Sequence, residues 1–225
     1  MITISQQWRY AYPGASVGVL AMHHVSNPAS HHALDIRKAE LESQLRKRFA
    51  DCDRADLKAL EPIRAYEAYL KPFKKTYQVL LQLESVIFKG KSIPQVAALV
   101  EVMFMAELQD LLLTAGHDMD ALQLPVTIGV AMGGEQYIGF TGEEETTKAG
   151  DMIISDQIGI ISSVVYGPDQ RTCIMPRTQN VLFTTYAPVG INHDTVLEHL
   201  HHIESNVLLV APEAEVEILD VYGTD

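Results

Sequence analysis

PVTIGVAMGGEQYIGF (125–140) is where the character of the chain changes. Its first eight residues are mostly apolar, Gly133-Gly134 interrupts them, and a second short apolar run follows. That pattern predicts two strands joined as a hairpin. Downstream, DMIIS, GIISSVVY, NVLFTTY and EVEILDVY read as further strands. A single helix at about 194–207 breaks this series. Its apolar face carries Val196, Leu200 and Ile203, and its other side carries Glu198, His199 and His202.

Upstream of residue 124 the hydrophobic period lengthens. ASVGVLAM (15–22) reads as a buried strand, and Asn27-Pro28 offers a helix start. Leu34, Leu41, Leu45 and Phe49 then mark one face of a long helix. Pro62 and Pro72 break the stretch 56–75, and a helix at about 78–89 stops at Gly90. Pro94 is expected to open a long helix that ends at Gly116. The order is strand, helices, many strands, helix, strand. It predicts an α+β fold with a β-rich core and helices packed on it. One domain is expected across 1–225, with a helix-rich part at about 28–116 and a β-rich part at about 124–225 sharing one core.

Hydrophobic residues make up 47% of the 225, which excludes a disordered chain. The longest apolar stretch, 94–114, contains Glu101, Glu107 and Asp110, so no membrane span is expected. MITISQQWRY lacks the basic start and apolar run of a secretory leader. Cys52 and Cys173 form no CxxC pair, so neither a disulfide framework nor a thiolate metal site is expected. Together these features predict a cytoplasmic protein.

The net charge of −12 is unevenly spread: residues 1–75 sum to +4 and residues 76–225 to −16. The acidic majority repels nucleic acid, and phosphate contacts need a positive footprint. Eleven of the 17 basic residues lie between Arg37 and Lys75, so any such footprint belongs there. Lys47, Arg48, Lys71, Lys74 and Lys75 are the RNA-binding candidates.

The nine histidines lack metal-ligand spacing, so neither a metal nor another cofactor is expected, and His199 and His202 read as solvated. No phosphate-binding glycine loop and no GxSxG elbow is present in the sequence. Two acids stand out. Glu84 has Leu80, Leu81, Ile87 and Phe88 at helical neighbour positions, and Glu101 has Ala97, Ala98, Phe104 and Met105. A carboxylate on an apolar helix face needs a partner or a raised pKa. Either a lysine such as Lys74 or Lys75, or backbone amides, supply that partner, or the acids floor a pocket for an amine or hydroxyl.

The run VLLQLESVIFKGKSIPQVAALVEVMFMAELQDLLLTAGHDMDAL (79–122) carries Ile93-Pro94, Val100-Glu101-Val102 and the turn Asp118-Met119-Asp120. Gly134-Glu135, Asp156 after an apolar strand, and Thr178-Gln179-Asn180-Val181-Leu182 follow. In this order and spacing, across about 16–187, they resemble the tRNA-binding B3/B4 domain of the phenylalanyl-tRNA synthetase β subunit. They resemble its stand-alone relatives more closely, and SVGVLAMHHVSN (16–27) is similar to the opening strand of those proteins. In the synthetases this domain also hydrolyses tyrosine wrongly attached to the phenylalanine tRNA, a second-sieve task.

The resemblance implies a β-rich core, tRNA or other RNA as partner, and hydrolysis of a misacylated tRNA in trans. His117, Asp118, Glu135, Thr178 and Thr184 join Glu84 and Glu101 as pocket candidates. Three features depart from the family pattern, one being that its Thr-x-Ala element has no counterpart near His193–Thr195. Ala115 stands where the family has its pocket histidine, with His117 two residues on, and Thr184 stands where it has an acidic residue. No catalytic residue is assigned. The alternative reading is a non-catalytic binder of an amino-acid-like small molecule that keeps the cavity and not the RNA.

Overall fold

The computed structural model describes residues 2–223. In chain order the elements are β1 (Ile2–Ile4), α1 (Gln6–Ala11), β2 (Ser16–His23), α2 (His32–Arg48), α3 (Arg54–Ala59), α4 (Glu61–Leu70), α5 (Gln78–Ile87) and α6 (Ala98–Asp110). Then follow β3 (Leu113–Asp118), β4 (Val126–Val130), β5 (Gln136–Ile138), β6 (Glu144–Thr146), β7 (Met152–Ser155), β8 (Ile160–Ser163), β9 (Gly167–Pro168), β10 (Val181–Ala187), α7 (His193–Val210) and β11 (Glu215–Gly223). The fold is α+β.

The buried run at 16–22 becomes an interior strand because it is apolar on both faces. β2 lies between β10 and β11 in an antiparallel sheet of order β11-β2-β10-β3. One face of this sheet is covered by α6 and α7. The approach is close at Gly18, where an added Cβ would lie 2.7 Å from Val196 Cγ1. Residues opposite each other in the ladder share a face, so Thr185, which pairs with Gly18 and Thr114, also lies under the helices. Leu182, Thr184 and Tyr186 therefore point the other way, as do Ala115 and His117.

That second face meets a five-stranded sheet of order β1-β4-β7-β8-β9, and Tyr186 reaches across to Ser162 on β8. One apolar cluster runs from Trp8 to Val221 and draws on both sheets and the helices. A smaller cluster of Ala131, Tyr137, Ile153 and Ile160 lies by the β5–β6 hairpin. No helix among the described residues is long and apolar enough to cross a membrane.

Four local expectations are corrected. The helix expected to run from Pro94 to Gly116 is shorter. It starts at Ala98 and stops at Asp110, where Leu111 adopts φ 63. Gly116 sits inside β3 because its missing Cβ makes room for Ile174 Cδ1, which would lie 2.6 Å away. Asn27 does not cap the helix that follows it. Its Oδ1 accepts the Leu99 amide at 2.9 Å at the start of α6, while α2 begins five residues later at His32. The strands flanking Gly133-Gly134 do not pair with each other, since β4 joins β1 and β7 and β5 joins β6. Finally, His199 is fully buried, because α7 packs on the sheet and on α6 at once.

A polar seam between the sheets

The Asp-x-Asp turn at the end of β3 closes on the Thr-Gln-Asn segment before β10. Asp118 accepts the Thr178 hydroxyl at 2.8 Å and the Asp120 amide at 3.0 Å. Asp120 accepts the Asn180 side-chain amide at 2.9 Å, and the Met119 amide bonds the Asn180 carbonyl at 2.9 Å. Asn180 in turn meets His23 Nδ1 at 2.9 Å, and His23 Nε2 meets Glu217 at 2.8 Å. The bonds to Asn180 and Glu217 push the His23 pKa up. The ends of all four strands of this sheet are thereby laced together. Asp118 and Thr178, both buried, act here as braces for the backbone.

His117 and Thr184 lie on the face turned to the other sheet, and both have zero solvent exposure. The Thr172 hydroxyl donates its one proton to Asp169 Oδ1. Its oxygen must then accept from His117 Nδ1 at 2.8 Å, which fixes the Nδ1–H tautomer and leaves Nε2 as a bare lone pair. Nε2 has no hydrogen-bond partner, and neither has Thr184 Oγ1. Burial and the Arg171 charge hold the His117 pKa down to about 3, so the ring is neutral. Buried polar atoms are nearly always paired, so two orphans on one inner face call for an explanation.

The seam continues through groups that sequence reasoning passed over. Asp151 has zero exposure and accepts the Tyr69 hydroxyl at 2.7 Å and the Ser163 hydroxyl. Burial pushes its pKa up to about 6, against the pull of those two donors. The Tyr186 hydroxyl meets Ser162 at 2.5 Å, and the Tyr66 hydroxyl donates to the Tyr186 carbonyl. An acid directly before the apolar strand 152–155 was the available sequence signal for Asp151, but at a strand start it reads as a turn residue.

The remaining pocket candidates lie elsewhere. Glu101 is buried and paired with Lys38 at 2.7 Å, and its second oxygen accepts the Val96 amide at 2.8 Å. Glu84 pairs with Arg54 at 2.7 Å near the surface, with Leu81 and Phe88 exposed beside it. Lys38 and Arg54 therefore take the place of Lys74 and Lys75 as the expected cations. Glu135 accepts the Met132 and Gly133 amides and the Thr147 hydroxyl, bracing the glycine turn. Burial raises its pKa, but these donors outweigh burial and hold it low. Burial pushes the Cys173 thiol up, so it is not an activated nucleophile.

Under α6 and α7 lies a second polar chain. Asp110 joins His199 at 2.9 Å and His202 at 2.9 Å, and His199 Nε2 meets Thr114 Oγ1 at 2.7 Å. This hydroxyl–imidazole–carboxylate order has the form of a nucleophilic triad, but the Thr114 hydroxyl is also tied to Thr185 Oγ1 at 3.0 Å beneath the helices, so the chain braces α6 and α7 on the sheet. Burial pushes the Asp110 carboxyl up, yet the two histidines outweigh it and hold its pKa low. Among the described residues no group of three or more His, Cys, Asp or Glu is set to hold a metal ion.

The basic candidates fall into two groups. Lys47 and Arg48 end α2, where Arg48 bonds the Gln109 carbonyl at 3.4 Å and lies over Phe49. Lys71, Lys74 and Lys75 are exposed after α4, and the Lys75 ammonium sits 4.6 Å from the centre of the Tyr166 ring.

No protein-family model and no curated protein matches this chain. Among solved structures, it is similar to an N-terminal fragment of the phenylalanyl-tRNA synthetase β subunit from Pyrococcus horikoshii, with a TM-score of 0.49 and 11% identity. The match covers 96% of this chain and 50% of that one, so the chain spans half the fragment's length.

Proposed function

We propose that this chain is a B3/B4-like domain across 1–225 that binds tRNA through exposed lysines and seats the aminoacyl group of a misacylated tRNA on the inter-sheet seam. The observation that carries this reading is the pair of orphaned atoms, His117 Nε2 and Thr184 Oγ1, on one inner face. An amino-acid ester offers what both lack. Its ammonium or a side-chain hydroxyl donates to Nε2, and its carbonyl accepts from Thr184. A further support is that the motif residues Asp118, Asp120, Thr178 and Asn180, far apart in sequence, bond one another.

His117, with a pKa of about 3, is too weak a base to take a proton at neutral pH. Its part is to accept a hydrogen bond and orient the ester, while Thr184 steadies the carbonyl oxygen as negative charge develops there. The cover over His117 includes Thr172 and Asp169, and a ligand must displace part of it.

The test is a panel of misacylated tRNAs incubated with wild type and with Thr184→Val. Faster release of one amino acid by wild type, lost in the variant, supports the reading. Binding of tRNA should also weaken with salt, at a log–log slope of roughly −0.7 to −0.9 per phosphate neutralised. The −16 balance of residues 76–225 favours the second reading, a binder of a free amino-acid-like molecule. Calorimetric binding of a free amino acid, without tRNA binding or deacylation, would establish it instead.

A further inference from the structure

Tyr12, Tyr69, Pro72, Phe73 and Lys148 line a cleft of about 480 Å³. The Tyr69 ring lies 5.8 Å from Tyr12 at 51° and 5.4 Å from Phe73 at 41°; the two tyrosines are half-buried and form a tilted wall, with Phe73 buried against Tyr69. The hydroxyls of the two tyrosines are anchored. The Tyr69 hydroxyl is held by Asp151 and by the Met152 amide at 2.6 Å, and the Tyr12 hydroxyl by the Gly150 carbonyl. The ring planes are therefore set before any ligand arrives, which lowers the ordering cost of stacking on them. Through Tyr69 and Asp151 the wall also joins the outer end of the seam.

A second cleft of about 550 Å³ adjoins the first, since Ala68 lines both. It carries Arg64 and Lys71, together with Glu61 and Glu67, and Glu67 is paired with Lys58 at 2.6 Å. Lys148 donates to the Phe73 carbonyl at 3.0 Å and keeps its ammonium at the rim. Arg64, Lys71, Lys74, Lys75 and Lys148 are all exposed, in a molecule of net charge −12. Aromatic rings beside a row of cations suit an unpaired nucleic-acid strand, whose bases expose π faces and whose backbone is anionic. A duplex hides those faces in its own stack. Lys47 and Arg48 offer no such pair of half-buried rings: the ring beside Arg48 is the buried Phe49.

The geometry points to the two joined clefts as a groove for single-stranded RNA. A base stacks on the Tyr12–Tyr69 wall, and phosphates follow Lys148, Lys71 and Arg64. This inference rests on the RNA reading above and gives the strand its path.

The experiment is fluorescence anisotropy with the full chain, a short unstructured labelled RNA, and the same sequence as a blunt duplex. The variants are Tyr12→Leu, Lys148→Glu, and the pair Lys47→Glu with Arg48→Glu, each checked for folding by circular dichroism. The single strand should bind more tightly than the duplex. Tyr12→Leu and Lys148→Glu should each weaken it about ten-fold, while the Lys47/Arg48 pair changes it little. Lys148 is exposed, so its variant carries the test if Tyr12→Leu fails to fold. If the single strand binds but only the Lys47/Arg48 pair weakens it, the groove is wrong and the RNA reading stands. Equal affinity for strand and duplex also overturns the groove. If neither RNA binds, the RNA reading falls and the groove with it.

Discussion

Replacing Thr184 by valine should make the protein more stable and less functional at once. Thr184 sits mid-strand on β10 with Val19 on one side and Ala115 on the other, both apolar. Its hydroxyl is fully buried without a partner, a state that costs roughly 1–3 kcal/mol relative to a satisfied group. Valine has the same branched shape and trades the hydroxyl for a methyl whose burial adds about 0.8 kcal/mol. The two terms act in the same direction and together predict a gain of about 2–4 kcal/mol. Equilibrium urea unfolding at pH 7 reads it as a higher midpoint at unchanged slope. A loss of about 1 kcal/mol or more would refute the reasoning, because it would mean the hydroxyl has a hydrogen-bond partner in solution. A gain with deacylation or ligand binding intact would place the site elsewhere. Sites retained at a cost to stability behave in the opposite way: removal stabilises and disables.

Two more outcomes follow from buried carboxylates. Lys38→Met leaves Glu101 charged and almost fully buried, so it should cost about 3–5 kcal/mol. Adding Glu101→Leu should recover much of that loss, with the Val96 amide as the remaining orphan; a double variant as unstable as the sum of the singles would contradict this. Glu107, whose pKa burial pushes up to about 8, holds its proton more tightly folded than unfolded. Stability should therefore fall as pH rises from about 4.5 towards 8, with a limiting slope of roughly 1.4 kcal/mol per pH step between those two values. Glu107→Gln should flatten that part of a pH–stability profile measured by urea midpoints, and an unchanged slope would show that the carboxyl is solvated.

The strands at 152–155, 160–163 and 181–187 were legible because short apolar runs bounded by turn residues have few other uses. The run Leu111-Leu112-Leu113-Thr114 was not, since an apolar segment fits a buried helix or a buried strand equally well. The left-handed turn at Leu111 decides it, and leucine gives no hint of positive φ. Asn27 reads as a capping residue, but the amide it accepts, that of Leu99, lies 72 residues along the chain, beyond any local rule. A helix read with one buried face leaves His199 in solvent. The residues that accommodate it, Asp110 and Thr114, come from other elements. The same limit applies to the seam. His117 and Thr184 were singled out by family likeness, whereas Asp151, Asp169 and Thr172 acquire their roles from strand register alone.

The placement of β2 bears on how the chain is made. This early strand pairs only with β10 and β11, so its first ladder partner arrives at Val181 and its second at Glu215. At about 5–20 residues per second, roughly 10–30 s of synthesis separate the apolar segment 16–22 from the strands that will flank it. Throughout that interval both of its edges present unsatisfied amide and carbonyl groups beside apolar side chains, a template for pairing with neighbouring nascent chains. Newly made chains stalled before residue 181 should therefore depend on holdase chaperones, and a ribosome-bound truncation at residue 180 should be aggregation-prone where the full chain is not.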